Sequence, residues 1–532
     1  MLHRQGRQGR PQGLRPLITG LATGLMLLAS CVNGNREYDE ADSSAFGTFV
    51  HALDTTEQGK YLTHLLDADT SKWEADKKTK AYYQTAVKQL QTGRIFEPLW
   101  YNRAGVTDQA DTLLAQLQRE LPRQGLDPKA FFLPEIASDL EMVHQLSFDS
   151  LGQSINEVLP RLEYHLTKAY VRYTVGQRYG FMRPDQVFNH MDYKTDGTGY
   201  ARLFDYEVKT PDYEEPLQKL KSPDRMTYLQ TSVPTNSLYQ TFVKQLEQTT
   251  DSAKRETLIA NLERCRWQIV RPDGRTHQVV VNIPAQQLWA ICPDSVMPMK
   301  ICCGAIPTKT PLLNSEISYM QVNPEWIIPP SIVKGEVSAH GGDSAYFARN
   351  RYYIIDRAKG DTLDPKKVTK SQLMEGGLRV GQRGGAGNSL GRIVFRFANN
   401  FGVYLHDTNN RGAFNRERRT LSHGCVRVQR PFDLARFLLQ GADEWTIDKI
   451  RIAMDLKPET DRGLEYMEEH EEDPKPLKVI TYRDIIPRVP VYIIYYTAYP
   501  DPETGEVKYY PDLYGYDKVI RRKMGEYIVD SL

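Results

Sequence analysis

The sequence predicts a multidomain α+β protein, with a helical domain in its first half and a mostly-β domain in its second that carries a long insertion. Three observations predict this. At 532 residues the chain exceeds what one ordinary core holds, so two or three domains are expected. Through residues 46–267, apolar residues recur at three- and four-residue steps, the spacing of one helix face. From Gln278 onward the period shortens to strand-like runs broken by turn residues, as in an antiparallel or mixed sheet. Charge is balanced, 68 basic residues against 67 acidic, so no electrostatic draw toward nucleic acid is expected.

The N-terminus reads as a targeting segment. Arg4, Arg7, Arg10 and Arg15 precede a short apolar run, Leu17 to Ser30, shorter than a membrane-spanning helix requires. The run ends in Leu28-Ala29-Ser30-Cys31, which resembles a bacterial lipobox. That resemblance implies a signal peptide over 1–30 and lipidation of Cys31. A polar tether over 31–45 would follow, placing the mature protein in the periplasm as a lipoprotein anchored to a membrane leaflet.

The helical part begins with Val87 and Leu90 and continues in TDQADTLLAQLQREL, where Thr107 suits an N-cap and Pro122 with Gly125 a stop. Leu159, Leu162, Leu166, Tyr170 and Tyr173 trace one helix face. Residues 185–225, with Gly197, Gly199, Pro211 and Pro216, read as an irregular excursion. Helix resumes over 237–267. The β domain spans 276–455. HQVVVNIPAQQLWAIC and VMPMKICCG form a probable hairpin, GAIPTKTP a turn and SYMQVNPEW a third strand. Residues 331–390 read as a loop-rich insertion, a length that marks function or disorder. GRIVFRF alternates as a strand, Asn399-Asn400 turns, and His406 ends the next strand. Residues 456–475 read as a charged linker or helix face within a C-terminal segment, 456–532, that packs on the β domain. Its end forms two strands about a turn at 500–506.

Of six cysteines, Cys265, Cys292, Cys302 and Cys303 carry no metal-ligand spacing, so neither metal nor cofactor is expected. Cys292 and either Cys302 or Cys303 flank the hairpin, where a disulfide and free thiols are both open readings. Cys425 stands apart. His423 lies two residues before it, His406 nineteen before it, and Gly424 directly ahead. A cysteine attacks as thiolate and needs a base or positive surroundings; either histidine could act. Gly424 permits a tight turn that exposes the Gly424 and Cys425 N–H groups to a developing oxyanion. The helix expected from Pro431 would add a minor dipole contribution toward a thiolate.

HDT, thirteen residues, then SHGCVRV resembles the active-site signature of L,D-transpeptidases with a YkuD domain. FEPLWYN, the LLAQLQ helix and GLDPKAFF resemble the helical scaffold domain of the YcbB type. VNIPAQQLWA with TPLLNSEISYMQVNPEWIIPPSI resembles the opening of its catalytic domain, and PVYIIYYTAYPD…DLYGYD its close. The resemblance implies a capping subdomain over 331–390 and an enzyme acting on peptidoglycan stem peptides. Cys425 would attack the third-residue carbonyl of a tetrapeptide, release D-Ala, and pass the acyl group to a neighbouring amine as a 3–3 cross-link. By the family pattern His406 is the base, oriented from the side of Asp407, while His423 and Gly424 shape the turn. Arg427 would pair with a substrate carboxylate, with Ser422 and Tyr404 in support. The resemblance also implies acylation by carbapenems. It departs in one respect: no repeat of a separate peptidoglycan-binding module occurs between 185 and 267. Two other readings stand beside it, an L,D-carboxypeptidase or other hydrolase using the same nucleophile, and a non-catalytic wall-binding lipoprotein.

Overall fold

The computed structural model describes residues 53–529 apart from 93–96, 103–104, 149–151, 193–201, 273 and 275. Cys31, the signal peptide and the tether lie outside the described residues. Among the described residues no helix is long and apolar enough to cross a membrane.

The helical domain is organised on one element. Helices α1 (Thr55–Ala68), α2 (Glu74–Gln91), α3 (Asp108–Arg123) and α4 (Leu133–Gln145) pack about α5 (Ile155–Tyr179). A capping box of Ser154 and Glu157 starts α5, satisfying N–H groups that the first turn leaves unpaired. Leu159, Leu162, Leu166, Tyr170 and Tyr173 are all fully buried. So are most of the other residues of α5, and its polar groups therefore need partners. Glu163 accepts the Leu99 and Trp100 N–H groups and the Tyr83 hydroxyl. Burial pushes its carboxyl up to about 7. Lys168 pairs with Asp69, and Arg172 with Asp76 at 2.6 Å. The segment containing Leu99 and Trp100 is thus pinned to the central helix by one buried carboxyl. Helices α6 (Ser237–Gln248) and α7 (Ser252–Arg266) close the domain.

The second half is a β-barrel. Strands β1 (Gln278–Asn282), β2 (Gln287–Cys292), β3 (Ser295–Gly304) and β4 (Leu313–Val322) come first. A small inserted unit follows, made of β5 (Trp326–Ile327), β6 (Tyr352–Asp356), β7 (Thr362–Leu363) and β8 (Leu378–Gln382), with helices α8 (Pro330–Gly335), α9 (Ser344–Arg349) and α10 (Lys370–Glu375). The barrel resumes with β9 (Ile393–Phe397), β10 (Leu405–His406), β11 (Thr420–Ser422) and β12 (Val426–Val428). After α11 (Pro431–Leu438), α12 (Glu444–Ala453) and α13 (Asp461–Glu469) comes a long strand, β13 (Tyr482–Ile494). The sheet order is β11-β3-β12-β10-β9-β4-β13-β1-β2, and β2 also pairs with β3. That last pairing closes eight strands into a ring, with β11 beside β3. A ring of this size is filled by its own side chains, here Val279, Val281, Leu288, Ile301, Ile317 and Phe395 among others.

Two features differ from the sequence expectation, and one open reading is decided. The insertion is not loop-rich. It holds an antiparallel four-stranded sheet and its own core of Ile328, Ile332, Val337, Phe347, Ile354, Leu373 and Val380. Its helices are too short to show a period. The C-terminal segment does more than pack on the barrel: β13 runs parallel to β1 and antiparallel to β4 and completes the wall. Beyond it, β14 (Ala498–Pro500) and β15 (Val507–Tyr509) form the expected hairpin, and α14 (Tyr516–Met524) packs on α7. Finally, Cys292, Cys302 and Cys303 are free thiols. Cys292 sits at the turn of the β2–β3 hairpin opposite Ser295. At strand rise, Cys302 is about 20 Å farther along β3, well beyond disulfide reach.

Candidate active site

The Ser422–Val428 segment is held by hydrogen bonds from the turn after β3. Ala305 N–H and Thr308 Oγ1 both donate to the Ser422 carbonyl at 2.9 Å. Thr310 Oγ1 donates to the Gly424 carbonyl at 2.8 Å and accepts from Gly304 N–H. Tyr514, from the C-terminal segment, donates to the Gly304 carbonyl at 2.7 Å. Gly424 has φ +114, a conformation that side-chain-bearing residues avoid. A Cβ there would meet nothing closer than 3.7 Å, so conformation rather than space calls for glycine.

Cys425 follows directly and is partly buried. Burial pushes its thiol pKa up. The N–H and hydroxyl of Tyr404, and the charges of Arg396 and Arg427, act in the opposite direction without overcoming burial. His406 lies on the neighbouring strand. β10 and β12 run parallel, with His406 opposite Arg427. The imidazole is buried, its Nδ1 has no hydrogen-bond partner among the described residues, and its pKa is lowered to about 3. Burial is the main cause and Arg427 the next; the backbone at Asp407 and Leu390 pulls the other way. The resting pair is therefore a neutral thiol beside a neutral imidazole. The sequence alone suggested a thiolate helped by its surroundings; the desolvation that outweighs them is a tertiary effect.

Alkylation of Cys425 should follow this state. The rate is expected to rise only above the ordinary thiol pKa of about 8.5, with no reactive plateau near pH 6. Iodoacetamide labelling quantified at the Cys425 peptide across pH checks this, and an acidic plateau would reveal a preformed thiolate–imidazolium pair.

The other residues singled out by sequence divide into two groups. Asp407, Ser422, Tyr404 and Arg427 gather around Cys425 and His406. The Asp407 carboxylate is buried, accepts the Arg392 N–H at 2.8 Å and lies 3.0 Å from Arg411. A Cβ on Gly391 would strike it at 2.4 Å; Asp407 therefore braces the turn before β9 as well as its own strand. Ser422 Oγ donates to the Cys425 carbonyl and accepts the Gly424 N–H at 3.1 Å. That bond takes up one of the two N–H groups considered for an oxyanion and leaves the Cys425 N–H. The Tyr404 and His406 rings meet edge-on at 5.7 Å. Arg427 Nε is buried without a hydrogen-bond partner among the described residues. His423 points away: its side chain is 47% exposed and its Nε2 lies 2.7 Å from Glu336 Oε1. Glu336 belongs to the inserted unit, so His423 ties that unit to the cysteine loop.

Sequence reasoning missed three participants. Trp326 of β5 acts to lower the Tyr404 hydroxyl pKa against the larger effect of burial, Glu336 holds His423, and the Arg396 guanidinium lies 4.2 Å above the Tyr404 ring. Each acts through tertiary placement. Only the alternation of GRIVFRF, which puts Arg396 on the face opposite Phe395 and Phe397, offered a signal.

Comparison with known proteins bears on this geometry. Residues 276–452 match the model of the YkuD family, described as an L,D-transpeptidase catalytic domain. Residues 85–246 match a family described as a scaffold domain. A putative L,D-transpeptidase of Haemophilus influenzae is 24% identical over 523 residues, covering 93% of each chain. The chain thus carries a mostly helical scaffold region and a mostly-β YkuD-type catalytic domain.

Proposed function

From a YkuD-type catalytic domain joined to a scaffold domain, we propose that this protein is a peptidoglycan L,D-transpeptidase of the YcbB type, working in the cell envelope as a periplasmic lipoprotein. The observation that carries the reading is Cys425 directly before a strand that runs parallel to the one carrying the buried His406, on a loop fixed by Thr308, Thr310 and Ser422.

Cys425 attacks the carbonyl between the third residue of a tetrapeptide stem and its terminal D-Ala. Because the resting pair is neutral, the thiol proton moves to His406 as the S–C bond forms, and His406 returns it to the departing D-Ala amine. The Cys425 N–H donates to the oxyanion. Arg427, a cation with an unsatisfied buried Nε, stabilises the same developing charge or a substrate carboxylate. A side-chain amine of a second stem then takes the acyl group, giving a 3–3 cross-link. The inserted unit, tied down by Glu336–His423, caps the site and limits water, which favours an amine acceptor over hydrolysis.

Intact-mass spectrometry of the protein with a disaccharide-tetrapeptide tests this. An acyl adduct on Cys425 followed by a dimeric 3–3 product is the expected result. An adduct that yields only tripeptide would make the protein a carboxypeptidase, and a folded protein with no adduct would point to wall binding without catalysis.

A further inference from the structure

One row of side chains crosses the outer face of the barrel from the thiol. Arg396 of β9 is paired with Tyr319 of β4. The β9–β10 register, Val394 with His406 and Phe395 with Leu405, sets Arg396 opposite Tyr404. The β10–β12 register, with Val426 N–H donating to the Tyr404 carbonyl at 3.1 Å, sets Tyr404 beside Cys425. Successive strands therefore present Cys425, Tyr404, Arg396 and Tyr319 side by side, and Tyr482 of β13 extends the row with its ring 5.0 Å from Tyr319. Arg396 stands two strand spacings from Cys425, about 10 Å, and its side chain leans back over Tyr404.

The guanidinium is held but not neutralised. Its face rests on the Tyr404 ring and its Nε donates to Gln321 Oε1 at 3.1 Å. No carboxylate lies within ion-pairing distance of it among the described residues. Arg427, beside Cys425, is the other uncommitted arginine, but its Nε is buried; the rest are engaged, Arg411 with Asp407, Arg392 with Asp455, and Arg419 with the carbonyls of Gln286, Ile301 and Arg416. A stacked guanidinium keeps its terminal N–H groups aligned for a bidentate carboxylate. Arg396 is partly exposed, so a ligand can reach it.

We propose that Arg396 is a specificity residue that binds a free carboxylate of the stem peptide within one or two residues of the attacked carbonyl, with Tyr404 and Tyr319 as its flanking platform. At 3.3–3.6 Å per extended residue, a chain whose carbonyl meets Cys425 brings such a carboxylate to Arg396. The inference rests on the stem-peptide reading above and adds the group that selects an acidic stem over an amidated one.

The test is calorimetric binding to the full chain carrying Cys425→Ala, so that no turnover intervenes. The probes are a tetrapeptide stem with a diamino acid third and D-Ala fourth, as the free acid, the C-terminal amide and the third-residue amide. The free acid is expected to bind roughly tenfold more tightly than one of the amides, as for a charged hydrogen-bonded pair. Adding Arg396→Met should erase that preference, and Arg396→Lys should keep part of it. An unchanged preference in the Arg396→Met protein, or no binding of any of the peptides, would overturn the proposal. A Cys425 protein that keeps the preference but never forms an acyl adduct would instead sink the transpeptidase reading and leave this one standing.

Discussion

Cys425→Ala is expected to lower acyl transfer by at least about a thousandfold, because the proposed acyl-enzyme is carried on its sulfur. The loop should keep its shape. Its hydrogen bonds run through backbone carbonyls, Ser422, Thr308 and Thr310, none of them through the sulfur. Truncating one partly buried thiol should cost on the order of 1 kcal/mol, leaving a cooperative thermal transition. A carbapenem should raise the intact mass of the unsubstituted protein by one adduct and leave the Cys425→Ala protein unchanged. Retained transfer, or a drug adduct on the variant, would remove Cys425 from the mechanism.

His406→Gln is expected to reduce kcat/KM by about a hundred- to ten-thousandfold, while slow alkylation of Cys425 at high pH survives. The same variant tests the electrostatics. In the folded protein His406 has a pKa of about 3, against about 6.5 when unfolded. The unfolded chain therefore binds the extra proton first as pH falls, and the folded state loses stability between those two values; above about 6.5 the group contributes no pH dependence. His165 is lowered to about 3 as well, also chiefly by burial, so the parent carries both effects. The Gln variant should lose measurably less stability than the parent between about pH 6.5 and pH 3. Parallel urea unfolding across that range checks it, and identical pH slopes would show that His406 is not desolvated.

The parts legible in the sequence share one property: they depend on near neighbours along the chain. The helix face of Leu159, Leu162, Leu166, Tyr170 and Tyr173 was readable because it repeats within one element, and all five are buried. The Cys425 motif was readable because its loop is nearly continuous. What was hidden depends on partners far away in sequence. His423 is a positioned side chain whose partner, Glu336, lies 87 residues upstream. Arg396 looked like an ordinary outward strand residue until β10 placed Tyr404 beneath it. The pKa of His406 follows from walls supplied by several strands, which no local pattern encodes. The inserted unit hid its order because six-residue helices and two-residue strands are too short to show a period.

The placement of β13 has a consequence for biogenesis. Its partner β1 was synthesised about two hundred residues earlier, and Val491 meets Val279 only once that intervening chain has been made. Until then β1 and β4 present unpaired edges, the feature that invites chain-to-chain association, and the pairing that removes them is strongly non-local. Tyr514, which buttresses the cysteine loop through Gly304, arrives later still. The cysteine loop thus takes its final shape only after β13 and Tyr514 have been made and have docked.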